Sequence, residues 1–279
     1  MALESDQAKR QVMQQALATG QRHVRAAQAG QVPAGLAAAY RRSAQILSTI
    51  RFALGLDQVR AGLCGAAPIA PQVLEFMLAL GIPVTEGWGM SETSCAATVN
   101  PPGAIRIGTV GTAIPGVQLR LAAGGELLVR GPTVMKGYRN DPAKTAEAID
   151  PDGWLHSGDL ASIDCDGYVR ITGRKKDLII NAAGKNISPA TIENKVLAAS
   201  PLIAYTVAVG DRRPYIVALI VLDPDSAARF SAKHAITEPA SPVLASHPAV
   251  RAAVGMAVQT ANGRLSRAEQ IKRFAILPA

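Results

Sequence analysis

Apolar positions early in the chain recur at helical spacing. From Leu36 they run Leu36, Tyr40, Leu47, Ile50 and Leu54, with Ser43 as one polar interruption. This predicts helix over residues 5–54, split in two where Pro33 and Gly35 break the pattern. Residues 59–63 read as a short strand. Pro71 opens a helix ended by Gly81, with Val73, Leu74, Met77 and Leu78 on one face. Residues 83–86 read as another strand, and this alternation predicts an α/β arrangement. Near Arg106 the period shortens. Val117, Leu119 and Leu121 alternate, the run Ala122-Ala123-Gly124-Gly125 turns, and Glu126–Arg130 returns as a hairpin. Residues 168–172 are a further strand, so a β-rich subdomain is expected over 105–173. From 174 to 279 strand and helix alternate again, predicting a small α+β domain after the end of a large α/β domain at 1–104. Ser188-Pro189 marks a helix start, and 206–210 and 215–222 read as strands around the turn Asp211-Arg212-Arg213-Pro214. Ser266-x-x-Glu269 is a capping box that predicts a last helix.

Composition narrows the class. With 48% apolar residues among 279, the chain has material for a core, which excludes intrinsic disorder. The longest clear apolar stretch, 215–222, is far shorter than a membrane span. The polar start MALESDQAKR is not a signal peptide. Cys64, Cys95 and Cys165 lie far apart without a CxxC pair, which argues against zinc and disulfides and fits a cytoplasmic setting. The net charge of +8 divides unevenly. Residues 1–60 carry 8 Lys/Arg against 3 Asp/Glu, 61–173 carry 7 against 11, and 174–279 carry 14 against 7. A basic segment facing a small anionic ligand fits this better than nucleic acid, since stacking platforms between basic residues are not evident. His23, His234 and His247 are isolated and expected to be exposed.

Three stretches carry candidate chemistry. In Glu86-Gly87-Trp88-Gly89-Met90-Ser91-Glu92-Thr93 the glycines permit close backbone approach. Trp88 offers a stacking face, Ser91 a hydroxyl for a phosphate oxygen, and Glu92 a hard carboxylate suited to Mg²⁺. A polar loop with one core aromatic reads equally from these residues alone. In Trp154-Leu155-His156-Ser157-Gly158-Asp159 the carboxylate could grip a sugar diol or simply close a β-turn. In Gly173-Arg174-Lys175-Lys176-Asp177 three consecutive cations could reach an anion, act as a hinge, or form a solvated linker. Asp150-x-Asp152-Gly153 and Asp164-x-Asp166-Gly167 open like calcium loops but lack the closing Glu, so both are expected to be turns.

In order and spacing, these stretches together resemble the C-terminal half of an adenylate-forming enzyme, specifically a long-chain fatty-acyl-CoA synthetase. Cys64-Gly65-Ala66-Ala67-Pro68 resembles the turn lining the adenine pocket, and 87–93 resembles Y-G-M-T-E-T with Trp88 in the stacking position. Gly125-Glu126-Leu127 through Gly137-Tyr138 resembles G-E-L…G-Y. The stretch 154–159 resembles W-x-x-T-G-D, and 173–177 the hinge motif. Residues 177–193 resemble K-D-L-I…G-K-N-I-S-P…I-E. This sequence has Trp at 88 for the usual Tyr, Ser at 91 and 157 for Thr, and Asn181-Ala182-Ala183 for Thr-x-Gly.

The resemblance implies a ligase that joins a fatty acid to AMP from ATP and then passes the acyl group to coenzyme A. It implies that Glu92 holds Mg²⁺, Ser91 contacts phosphate, and Asp159 and Arg174 hold the ribose. Gly65, Ala66, Ala67, Pro68, Trp88 and Gly89 would line the adenine site. Lys176 would be the hinge of a mobile lid, and Gly184 would lie near the pantetheine path. Fatty acid, ATP and coenzyme A are the implied small-molecule partners, with at most peripheral membrane contact and possibly a separate N-terminal half-polypeptide. No Ser/Thr/Gly-rich phosphate loop occurs before Cys64, and no T-P-T-x-K segment follows Lys272 in 269–274, which resembles the helix preceding it. ATP–pyrophosphate exchange by this chain alone is therefore expected to be absent, leaving a binding module as the alternative. Helix faces around Leu47 and Ile50 are expected to be partly uncovered.

Overall fold

The computed structural model describes residues 2–67, 69–236 and 241–278. Its contacts divide the chain into two units. The first comprises Met1–Ala122, Leu127–Ser157 and Ser162–Ile171, and the second Ala123–Glu126, Gly158–Ala161 and Thr172–Ala279.

The first unit opens with helices α1 (Ala2–Gln28) and α2 (Ala34–Ala53), separated where Pro33 forbids continuation. Strand β1 (Gly62–Cys64), helix α3 (Pro71–Ala79) and strand β2 (Val84–Trp88) follow, then β3 (Thr98–Val99) and β4 (Thr112–Ala113). β1 runs parallel to β2, and β3 and β4 add antiparallel to give the order β1-β2-β3-β4. The strand expected at 59–63 falls later because Gly62 pairs with Val84 and Cys64 with Glu86. Ala16, Leu47, Leu80 and Ile82 form the core between the helices and this sheet, with Tyr40, Ile50 and Phe76 packed on it. α1 crosses close to α3 at Gly20, where a Cβ would lie 2.6 Å from the Ala79 carbonyl oxygen, so only glycine fits.

Several expectations change here. Leu47 is 1% exposed and Ile50 half-buried, because α1 and the end of α3 cover them, while Phe52, Leu54 and Leu63 are exposed. Val73 faces solvent, leaving Leu74, Met77 and Leu78 as the inward face of α3. His23 is half-buried and stacks on Tyr40 at 4.3 Å. His247 is half-buried too, its Nδ1 accepting from the Ala249 N–H. His234 is exposed as expected, though stacked on Phe230.

A second four-stranded sheet has the order β5-β6-β7-β8, from β5 (Gln118–Leu121), β6 (Glu126–Arg130), β7 (Leu155–Ile163) and β8 (Val169–Arg174). Gly124 and Gly125, at φ 92° and 84°, make the hairpin turn between β5 and β6. Helix α4 (Pro142–Ala148) precedes β7. Both calcium-like openings close as aspartate turns. Asp150 Oδ1 accepts from the N–H groups of Asp152 and Trp154, and Asp164 Oδ1 from those of Asp166 and Tyr168. Among the described residues no group of three His, Cys, Asp or Glu could hold a metal ion.

The second unit continues with the short antiparallel pair β9 (Ile179–Ile180) and β10 (Asn186–Ile187), then α5 (Pro189–Leu197). Ser188 caps α5 as its sequence predicts, accepting from the Thr191 N–H at 3.4 Å. β11 (Ile203–Val209) pairs antiparallel with β12 (Ile216–Leu222), and α6 (Pro224–Lys233), α7 (Ser241–Ser246) and α8 (Pro248–Asn262) follow. The last element corrects the sequence reading. The Ser266–Glu269 box forms, with the Ser266 N–H donating to Glu269 Oε2 at 2.9 Å, but it closes a turn and not a helix. The chain then enters strand β13 (Ile271–Ile276), parallel to β12, so Lys272 lies on a strand. Pairing with β12 and burial of Ile271 and Ile276 outweigh the local helix signal. Ile192, Val196, Ile216, Ile220, Val250 and Val254 anchor the core of this unit.

Candidate functional site

In the first unit, β2 delivers Trp88 to a tight loop and a single 3-10 turn, Ser91–Thr93. Thr93 folds back on the loop. Its Oγ1 accepts from the Met90 N–H at 2.9 Å and donates to the Met90 carbonyl at 3.0 Å. Gly89 is required by the chain itself, since a Cβ there would stand 2.1 Å from the Cys95 carbonyl oxygen. Ser91 is exposed and Glu92 half-buried. Trp88 is half-buried against the cluster of Ala97, Val117, Val129 and Leu155. Gly65, Ala66 and Ala67 follow β1 as an exposed turn, with Ala66 at φ 66°; Pro68 lies outside the described residues. A Cβ on Gly65 would come within 3.1 Å of the Gly87 carbonyl oxygen, so the two loops pass closely.

Two further residues of this unit were not singled out from sequence. Tyr138, quoted only as the end of a motif, donates its hydroxyl to Glu92 Oε1 at 2.7 Å. The bond to the carboxylate raises the Tyr138 pKa. Glu86 sits half-buried beside Arg170 and the N–H groups of Gly108 and Ile69, with Oε2 buried and without a hydrogen bond. Burial raises its pKa, opposed by those N–H groups and Arg170. A raised carboxyl contributes stability that is complete below its ordinary value of 4.5 and is lost as pH rises through the raised value. Glu86→Gln should therefore stabilise the chain at pH 7.5 by a few tenths to about 1 kcal/mol, allowing for solvent screening. The gain should vanish below about pH 4, where the wild-type carboxyl is protonated anyway. Scanning calorimetry at both pH values checks this; an equal gain at both would assign it to packing.

The second unit holds the other candidates. Asp159, on β7, is 4% exposed, and its Oδ1 meets Arg174 Nε at 2.9 Å, while the arginine side chain is 67% exposed. Beside it is a pair that sequence reading did not assign. Lys175 Nζ meets buried Glu126 Oε2 at 3.2 Å, and Glu126 Oε1 accepts from the Gly158 N–H at 3.0 Å. The Lys175 N–H also donates to the Gly158 carbonyl at 2.8 Å. These bonds fasten the turn after β8 to the segments carrying Glu126 and Asp159. Lys176 is exposed within that turn. Gly184 is at φ 76° with open space where a Cβ would point, in a loop organised by Asn181. Asn181 Oδ1 accepts from the N–H groups of Ala183 and Lys185.

The first unit thus offers an exposed hydroxyl and a half-buried carboxylate on a glycine loop, and the second a buried aspartate paired to a largely exposed arginine. Residues 8–139 match the AMP-binding enzyme family, and residues 176–279 match the AMP-binding enzyme C-terminal domain. The chain belongs to the AMP-binding enzyme family. It is 50% identical over 281 residues to the Mycobacterium tuberculosis protein named "Putative fatty-acid--CoA ligase fadD11", covering 100% of this chain and 49% of that one. It is 43% identical over 230 residues to the long-chain-fatty-acid–CoA ligase FadD15 of Mycobacterium bovis, covering 82% and 38%. The chain thus spans about half the length, or less, of these curated relatives. Its fold matches that of o-succinylbenzoate coenzyme A synthetase (MenE) from Bacillus subtilis in complex with AMP. The TM-score is 0.61 at 26% identity, over 79% of this chain and 42% of that one. The architecture is accordingly the mixed α/β fold of adenylate-forming enzymes. No described helix is long and apolar enough to cross a membrane.

Proposed function

We propose that the chain carries the nucleotide-handling part and lid of a long-chain fatty acid–CoA ligase working in the cytoplasm. In that reaction a fatty-acid carboxylate oxygen attacks the α-phosphorus of ATP and pyrophosphate leaves. The coenzyme A sulfur, as thiolate, then attacks the acyl carbonyl carbon and AMP leaves. Residues 1–104 would be the end of the nucleotide domain, 105–173 its β-rich subdomain and 174–279 the lid. Trp88, Gly89 and the 65–68 turn would line the adenine site, and Ser91 would donate to a phosphate oxygen. Asp159 would accept from the ribose hydroxyls, with Arg174 beside them. Lys176, exposed in a turn, suits a hinge that must change torsions without disturbing a core. Gly184 would border the coenzyme A path.

A lone, half-exposed carboxylate such as Glu92 suits Mg²⁺, which is held largely by substrate phosphates and water. The ion would offset phosphate charge as pyrophosphate departs.

The observation that carries this reading is Asp159, a carboxylate 4% exposed yet paired with a largely exposed arginine that can swing aside. Titration calorimetry with ATP and with AMP tests it; absence of binding by the wild-type chain would overturn it. A second reading is a half-polypeptide completed by a separate chain. It is favoured by exposed Leu63, at 65%, on the sheet-edge strand β1, together with Phe52 at 74%. Ligase activity that appears only on mixing with a phosphate-loop half would support it.

A further inference from the structure

We propose that Tyr138 is the positioning residue for the Glu92 carboxylate, fixing one oxygen so that the other presents to a divalent cation. This rests on the reading of Glu92 as the Mg²⁺ ligand. The turn that carries Glu92 is braced at three points by the segment after β6. The Met135 N–H donates to the Glu92 carbonyl at 2.8 Å, Ser94 Oγ to the Thr133 carbonyl at 2.9 Å, and Tyr138 Oη to Glu92 Oε1 at 2.7 Å. The first two fix the main chain. Only the third acts on the carboxylate, whose terminal torsion is otherwise broad. It engages Oε1 and leaves Oε2 without a hydrogen bond among the described residues.

Tyr138 is itself held in place. Its N–H donates to Thr145 Oγ1 at 2.9 Å, and Thr145 Oγ1 donates to the Asp141 carbonyl at 2.8 Å. Asp141 caps α4, accepting from the Lys144 N–H at 3.0 Å. Gly137, at φ 147°, lies so close to Thr145 that a Cβ would meet its Cγ2 at 2.7 Å. The first turn of α4 therefore sets the tyrosine, and the tyrosine sets the carboxylate. Tyr138 is 38% exposed, so its hydroxyl contributes little to a core. Groups that orient a metal ligand in this way typically alter metal affinity by about 10- to 100-fold.

The experiment titrates Mg²⁺ against ATP binding by calorimetry for the wild type, Tyr138→Phe, Thr145→Val and Glu92→Gln. Tyr138→Phe should need about tenfold more Mg²⁺ for half-maximal enhancement. Its AMP affinity without metal and its melting midpoint should match the wild type. Thr145→Val should shift Mg²⁺ dependence in the same direction. A Mg²⁺ midpoint in Tyr138→Phe equal to or lower than wild type, where the wild type responds and Glu92→Gln does not, overturns the role of Tyr138 and leaves Glu92 standing. A wild type whose ATP binding ignores Mg²⁺ removes the Glu92 reading, and this proposal with it.

Discussion

Gly111→Ala is expected to destabilise the first unit by about 3–5 kcal/mol, enough to unfold much of it at ambient temperature. Gly111 has φ 81°, and a Cβ there would fall 2.0 Å from the Val99 carbonyl carbon and 2.1 Å from the Asn100 nitrogen. Those atoms are main chain and cannot swing away. The crowding serves a purpose. Asn100 is 1% exposed, donates to the Thr109 carbonyl at 2.7 Å and accepts from the Arg106 N–H at 2.9 Å. The Val169 N–H donates to the Gly111 carbonyl at 2.8 Å, fixing the same loop to β8. Gly103 supplies the control. Its φ is 79° but nothing lies within 4 Å of its added Cβ, so Gly103→Ala should cost only about 1–2 kcal/mol. Urea denaturation of both variants checks the pair. Equal losses would show that the loop near Val99 yields.

Asp159→Ala should weaken ATP and AMP binding by roughly 10- to 100-fold, the loss of charge-assisted hydrogen bonds worth about 1.5–3 kcal/mol. The loss should be similar for both nucleotides, since the ribose is common to them. Glu92→Gln should penalise only ATP with Mg²⁺. Arg174→Ala should affect folding more than its exposure suggests, because it removes a partner from a buried carboxylate. Calorimetry with melting curves on the same samples separates the two effects. Unchanged nucleotide affinity in Asp159→Ala would remove the ribose role.

Local rules made much of the fold legible. Pro71 and Ser188-Pro189 start helices where they predict them, and the alternation at 117–121 with two glycines yields the β5–β6 hairpin. The Ser266–Glu269 box shows where such rules end. A Ser and a Glu three apart close one turn, and the residues that follow decide whether the turn propagates. Here they find an open edge on β12, a fact encoded some fifty residues earlier. The same separation hides the polar pairs. Glu126 is 49 residues from Lys175 and Tyr138 is 46 from Glu92, so no spacing rule links them. Glu126 and Tyr138 stand in a quoted motif as Glu92, Asp159 and Arg174 do, but no motif says which side chain each of them holds. The burial of Leu47 is hidden for a related reason, since its cover comes from Ala16 on a helix whose own apolar stripe is thin.

The second unit takes Ala123–Glu126 and Gly158–Ala161 from the middle of the chain. A polypeptide of residues 172–279 alone would keep Arg174 and Lys175 but leave behind Asp159 and Glu126. It would thus take a cation away from each of two buried carboxylates, which stay on the other piece. Recombination or gene fission near residue 172 would meet the same penalty, so that point is a poor place to splice this segment onto another chain.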